Sequence, residues 1–208
     1  MPILGLTTNR APRFPTIGEL RKGAPQTQRS RSDGRVVGVA GKDLTFFRFT
    51  SGIPGIGEAF AQHYGQEPRE VNCFLPYETL DENLEVWQEH WDASRLHHRC
   101  NGKYCVRVYD PSLRVYVDYQ LNDKGEPANG KGFPCPGNCK ASGKLWLWVP
   151  ELKRAGLVVA LTTSKHDCAN LTMQLLQARE SIGSLRGVPF ILRRSKRRVS
   201  MPQADGTS

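Results

Sequence analysis

The chain has 208 residues, 38% of them hydrophobic and 24% charged, and a formal net charge of +9 at pH 7. With 20 glycines and 14 prolines it is turn-rich, which argues against a helical bundle. The longest apolar run, around residues 157–161, falls well short of the roughly 18 residues that span a bilayer, so no membrane role is expected.

The charge is unevenly placed. Residues 1–36 hold seven Lys/Arg against two acids and residues 183–208 hold six against one, while the middle holds 16 against 17. Basic ends on a neutral body suit an anionic partner, either nucleic acid or an acidic protein surface; solubilising tails are the plainer alternative. The opening MPILGLTTNR shows no charged stretch ahead of an apolar core, so a cytoplasmic chain is expected, with six cysteines kept as thiols or metal ligands.

In chain order, residues 1–36 read as a mostly flexible basic arm, with Ile17–Leu20 a candidate for docking on the body. A single domain follows over 37–200, its first element a strand at 44–49 (LTFFRF). Ile56, Phe60 and Tyr64 recur every fourth residue, predicting a short helix ended by Gly65. Residues 70–75 read as a strand. Residues 84–96 suit helix or strand equally, because Leu84, Trp87 and Trp91 fit either period. Residues 104–109 and 113–121 predict a hairpin turning at Asp110-Pro111, followed by a Gly/Pro-rich loop over 122–138. A second hairpin is expected from 144–149 and 157–162. Next, Ser164 caps a helix with Asp167 as its partner, an apolar face of Cys168, Leu171, Leu175, Ala178 and Ile182, and a stop at Gly183. Residues 188–199 start apolar and end basic, and 201–208 read as a disordered tail. The fold class is α+β, a mixed or antiparallel sheet with a few short helices and a zinc-binding insertion at about 97–142.

The cysteines carry the sharpest chemistry. Four residues separate Cys100 from Cys105, and three separate Cys135 from Cys139, spacings that let one turn present two thiolates to one tetrahedral ion. Asn101-Gly102 and Pro136-Gly137-Asn138 supply the turns. Four thiolates would close the coordination sphere of a structural Zn2+. Scattered free thiols, or His97 or His98 replacing one cysteine, are the alternatives. Cys73 and Cys168 sit in apolar patterns and read as buried small hydrophobes. No H-E-x-x-H, G-x-S-x-G or Walker-type pattern occurs, so neither a catalytic residue nor a small-molecule substrate is expected. Arg193, Arg194, Lys196, Arg197 and Arg198 form a basic run suited to a partner protein, to phosphate, or to guarding an edge strand.

IGELRKGAP, DLTFFRFTS, AFAQHYG, WQEHW, HRCNG, CPGNC, LVVALTTSKHD and GVPFILRRSKRRVSMP follow one another in this order across residues 16–202. The ordered set resembles the larger recombination directionality factors that phages and related mobile elements pair with large serine integrases. The resemblance implies a non-enzymatic protein that binds a serine integrase on its attachment sites, meeting DNA through that complex, and redirects it from integration to excision. It fixes no integrase-contact residue. A zinc-stabilised nucleic-acid-binding protein and, behind it, a metal-dependent hydrolase are the other readings.

Overall fold

The computed structural model describes residues 14–25, 27–30, 36–39, 41–92, 94–128, 130 and 132–195. Its thirteen strands are β1 (Thr16–Gly23), β2 (Thr27–Ser30), β3 (Val36–Val39), β4 (Asp43–Thr50), β5 (Glu70–Phe74), β6 (Leu84–Trp91), β7 (Leu96–Cys100), β8 (Tyr104–Asp110), β9 (Val115–Asp118), β10 (Phe133–Pro134), β11 (Lys140–Leu147), β12 (Leu157–Thr162) and β13 (Pro189–Arg193). The helices are α1 (Ile56–Tyr64), α2 (Leu80–Asn83) and α3 (Lys165–Ile182).

Nine strands form one sheet in the order β10-β8-β7-β6-β11-β12-β1-β4, with β9 beside β10 on the outer side of β8. Every pairing in it is antiparallel except β1 with β12, so the sheet is mixed and the fold is α+β. β5 and β13 make a two-stranded ribbon, which an antiparallel bridge between Phe74 and Trp148 joins to the end of β11.

The core lies on one face of this sheet. Leu145 and Leu147 of β11, Val158 of β12, Leu20 of β1 and Phe47 of β4 pack with Ile56 and Phe60 of α1, Leu175 of α3, and Val71 and Cys73 of β5. The period-2 alternation in β11 buries Ala141, Gly143, Leu145 and Leu147 and leaves their neighbours half-exposed. Gly143 is where α3 crosses closest: a Cβ there would lie 2.8 Å from the Cys168 sulfur.

Two sequence expectations change. Within the stretch read as a mostly flexible arm, Ile17–Leu20 does dock on the body, and Thr16–Gly23 goes further, forming an internal strand between β12 and β4 with Leu20 only 1% exposed. Its Arg and Lys on the polar positions hid a pattern whose Ile17, Leu20 and Gly18 fill the core side. The ambiguous stretch at residue 84 is a strand, because both of its edges are paired, with β7 and with β11. The 201–208 tail lies outside the described residues.

Candidate metal centre

The centre grows from one knuckle. Cys100 ends β7 and faces Cys105 of β8 across the turn at residues 101–103. Asn101 builds that turn: its Oδ1 accepts from the backbone N–H of Lys103 and Tyr104, both at 2.9 Å, and its Nδ2 donates to Gly125 O at 2.7 Å. Gly102 takes φ +104°, a value that favours glycine. A register shift between Arg99 and Cys100 swings Cys105 onto the same side of the sheet as Cys100 and His98.

The second pair comes from the loop that returns to the sheet. Cys135 N–H donates to Lys103 O at 2.8 Å, and Phe133 pairs with Cys105, so the loop is stitched onto the first knuckle. Gly137 at φ +91° and Asn138 at φ +59° turn the chain inward, and Gly137 N–H points at the Cys135 sulfur at 3.4 Å. Cys139 then leads directly into β11.

These elements bring four donors close, from His98, Cys100, Cys135 and Cys139, with Cys105 buried beside them, and a four-cysteine shell is not shown. The Sγ atoms of Cys100, Cys135 and Cys139 lie 3.2, 3.5 and 3.6 Å apart. His98 Nε2 lies 3.1 Å from Cys139 Sγ and 3.9 Å from Cys135 Sγ. His98, Cys135 and Cys139 offer ligand atoms within 4.8 Å of one another, close enough to hold a metal ion. Cys105 is fully buried, with its thiol 4.0 Å from Pro134 O and facing Cys135. A tetrahedral ion with Zn–S bonds near 2.3 Å would set its sulfurs about 3.8 Å apart, so the spacing and softness of this donor set suit zinc. His98 is the functional candidate the cysteine spacing alone left open. Its signal is the H-x-C of β7, where a two-residue step puts both side chains on one face.

Electrostatics describe the same cluster. Burial works against ionisation of Cys135, but Gly137 N–H and the Cys100, Cys139 and Cys105 thiols donate to its sulfur and pull its pKa below the usual thiol value. Burial and the neighbouring sulfurs push Cys100 and Cys139 up, and Cys105 up to about 12. The protein alone makes Cys135 the easiest of the four thiols to ionise, and a divalent cation bound there would let the others ionise with it. Burial and the charge of His90 push His98 down, so neutral imidazole, with a lone pair for a metal or a hydrogen for a sulfur, is its resting form.

Cys73 and Cys168 are buried in the body, apart from this cluster. The described part of the basic run lies at the end of an edge strand, one of the placements its sequence suggests. Arg193 ends β13 and pairs with Glu70 at 2.7 Å, while Arg194 donates to Leu44 O and pairs with Asp43 at 2.5 Å. Lys196, Arg197 and Arg198 lie outside the described residues.

A sheet-based body carrying a cysteine-and-histidine cluster that could hold a metal ion defines an α+β protein with a candidate metal site. The chain matches the family described as Gp3-like, recombination directionality factor-like, over residues 17–207, and it belongs to that family. No curated protein and no solved structure matches it.

Proposed function

We propose that the protein is a recombination directionality factor that binds a serine integrase and switches it from integration to excision, without catalysing a reaction itself. The match to the family over nearly the whole chain carries this reading. In physical terms the factor binds one arrangement of the recombinase synapse better than the other, and the difference in affinity shifts the population. Partner contact through the described basic residues is limited by their ion pairs with Glu70 and Asp43, which favours protein docking over a free phosphate-binding arm.

The metal in this reading is a structural Zn2+ held by Cys100, Cys105, Cys135 and Cys139 in the reducing cytoplasm. Its contribution is a cross-link, tying the turn at 101–103 to the loop that feeds β11. His98 stands against Cys139 from the adjacent position on β7, suited to donate an N–H to that sulfur or to replace Cys105 in the shell. The domain limits follow: one body over 37–200, extended at its N-terminal side by β1, with the zinc-binding insertion at about 97–142.

The test is a recombination assay on paired left and right attachment sites with the cognate integrase. The purified, zinc-loaded protein should stimulate excision and suppress integration. An absence of both effects at saturating protein defeats the assignment for that integrase.

A further inference from the structure

A cleft of about 390 Å³ lies between α3 and β13. Leu145 and Leu147 of β11 floor it, and Leu171, Gln174 and Leu175 of α3 form one wall. Phe190, Ile191, Leu192 and Arg193, four consecutive residues of β13, line the other. Neighbours in a strand face opposite sides, so a cleft that touches four in a row runs along the strand's edge. A hollow of about 170 Å³ continues it past Ser195 toward Lys22 and Asp167. Among the described residues that edge is unpaired. β13 joins β5 through its other side, and Arg194 N–H donates to Arg69 O at 2.7 Å. That bond fixes the alternation: Leu192 and Phe190 exchange hydrogen bonds with Val71 and Cys73, while Ile191 and Arg193 turn their N–H and C=O away from β5. The mutual 2.9 Å bonds of Phe74 with Trp148 agree, since Phe74, opposite Pro189, also turns its backbone groups away from its partner strand. No described hydrogen bond uses the outward backbone groups of Ile191 or Arg193.

We infer that this cleft takes an extended segment of a partner protein, which adds to the edge of β13 as a further strand. A row of backbone donors and acceptors beside an apolar floor is matched by a strand, because a helix has already spent its own backbone groups. Backbone pairing to Ile191 and Arg193 supplies affinity, and alternate side chains resting on Leu145, Leu147 and Leu171 supply selectivity. Charge sets the direction. Glu70 and Asp43 hold Arg193 and Arg194 at the end of the strand, and the sequence runs on from Ser195 as Lys196-Arg197-Arg198. The segment is therefore acidic at that end. Its assignment to a serine integrase rests on the directionality reading above, whereas the open edge and its cleft rest on geometry alone.

Surface plasmon resonance between the full zinc-loaded chain and the purified cognate integrase tests this with three substitutions. Ile191→Pro removes an outward N–H that β5 does not use. Gln174→Trp fills the cleft from an exposed position on α3. Ile191→Thr keeps the N–H and alters only a side chain that is 56% exposed. The first two should weaken binding about tenfold or more, with far-ultraviolet circular dichroism and zinc content unchanged, and Ile191→Thr should bind as the wild type does. In the complex, hydrogen exchange should slow at the amides of Ile191 and Arg193 and change little at Phe190 and Leu192, which β5 already holds. Should Ile191→Pro lose its fold, Gln174→Trp decides. Integrase binding that Gln174→Trp leaves unmoved overturns the proposal and leaves the directionality reading standing. A loss in Ile191→Thr as large as in Ile191→Pro also overturns it, since the contact would then be the side chain. Self-association that these substitutions abolish while integrase binding persists gives the cleft to a second copy and overturns it too. A wild type that binds no integrase removes the directionality reading and this partner together.

Discussion

Arg99 is held between two carboxylates, Glu85 at 3.0 Å and Glu89 at 2.6 Å, and Glu89 is nearly buried. Burial alone would raise the Glu89 pKa; hydrogen bonds from Trp91 and Ser142 and the charge of Arg99 outweigh it and bring it below the usual carboxylate value. A carboxyl depressed in the folded state stabilises fully above its unfolded pKa of about 4.3 and loses that contribution as pH falls through its lower folded value. Urea melts should therefore show Glu89→Gln less stable than wild type at neutral pH, the gap closing in acid below that range. Arg99→Ala should cost about 3 kcal/mol at neutral pH, because it strands a buried charge. None of this network was legible in the sequence: Glu85, Glu89 and Arg99 meet only because β6 and β7 pair, and the local pattern left β6 undecided. The cysteine pairs were legible because their turns are local. Which donors complete the shell was not, since His98 reaches Cys139 across 41 positions of chain. Zinc stoichiometry by mass spectrometry under native conditions separates the possibilities. Cys135→Ser should lose the ion, His98→Ala should keep it, and Cys105→Ser should lower affinity; the reverse order for the last two assigns the fourth position to His98.

At the scale of elements, short-range signals gave correct limits and long-range pairing did not show. Ser164 Oγ accepts from Asp167 N–H at 3.2 Å, as the cap predicted. The Asp167 carboxylate does not return to Ser164; it bonds Thr162 Oγ1 and pairs with Lys22 of β1. That contact pins the first turn of α3 to a strand 145 residues earlier, which no capping rule describes. The predicted helix face holds through Ala178, and Ile182 lies exposed beyond the end of the core. β1 was read as an arm for a similar reason: its single parallel partner, β12, lies far along the sequence, and its exposed positions are basic. Leu20→Ala should cost about 2–5 kcal/mol in chemical denaturation, a core-sized loss. A change within about 0.5 kcal/mol would return the segment to the status of an arm.

For the whole molecule, the candidate metal centre and the apolar core are separate clusters. The core cluster draws on β1, β4, β5, β6, β11 and β12 with α1 and α3, and among the described residues it includes none from 96–139. Beyond β6, β7 pairs with β6, β8 with β7 and β10 with β8, and the cysteine cluster sits where these strands meet. A metal that cross-links such a region contributes its binding free energy locally. Chelation should therefore open the insertion first and leave the body folded. Hydrogen exchange would show it: protection lost over Leu96–Cys100, Tyr104–Asp110 and Phe133–Pro134, and retained over Thr16–Gly23 and Leu157–Thr162. Lys140–Leu147 should divide, its end beside Cys139 opening while Leu145 and Leu147 stay closed on the core. If directionality depends on surfaces carried by the insertion, excision would stop under those same conditions and resume on adding zinc, with no global melt between. Simultaneous loss of protection in all six strands would instead make the ion part of one cooperative unit with the core.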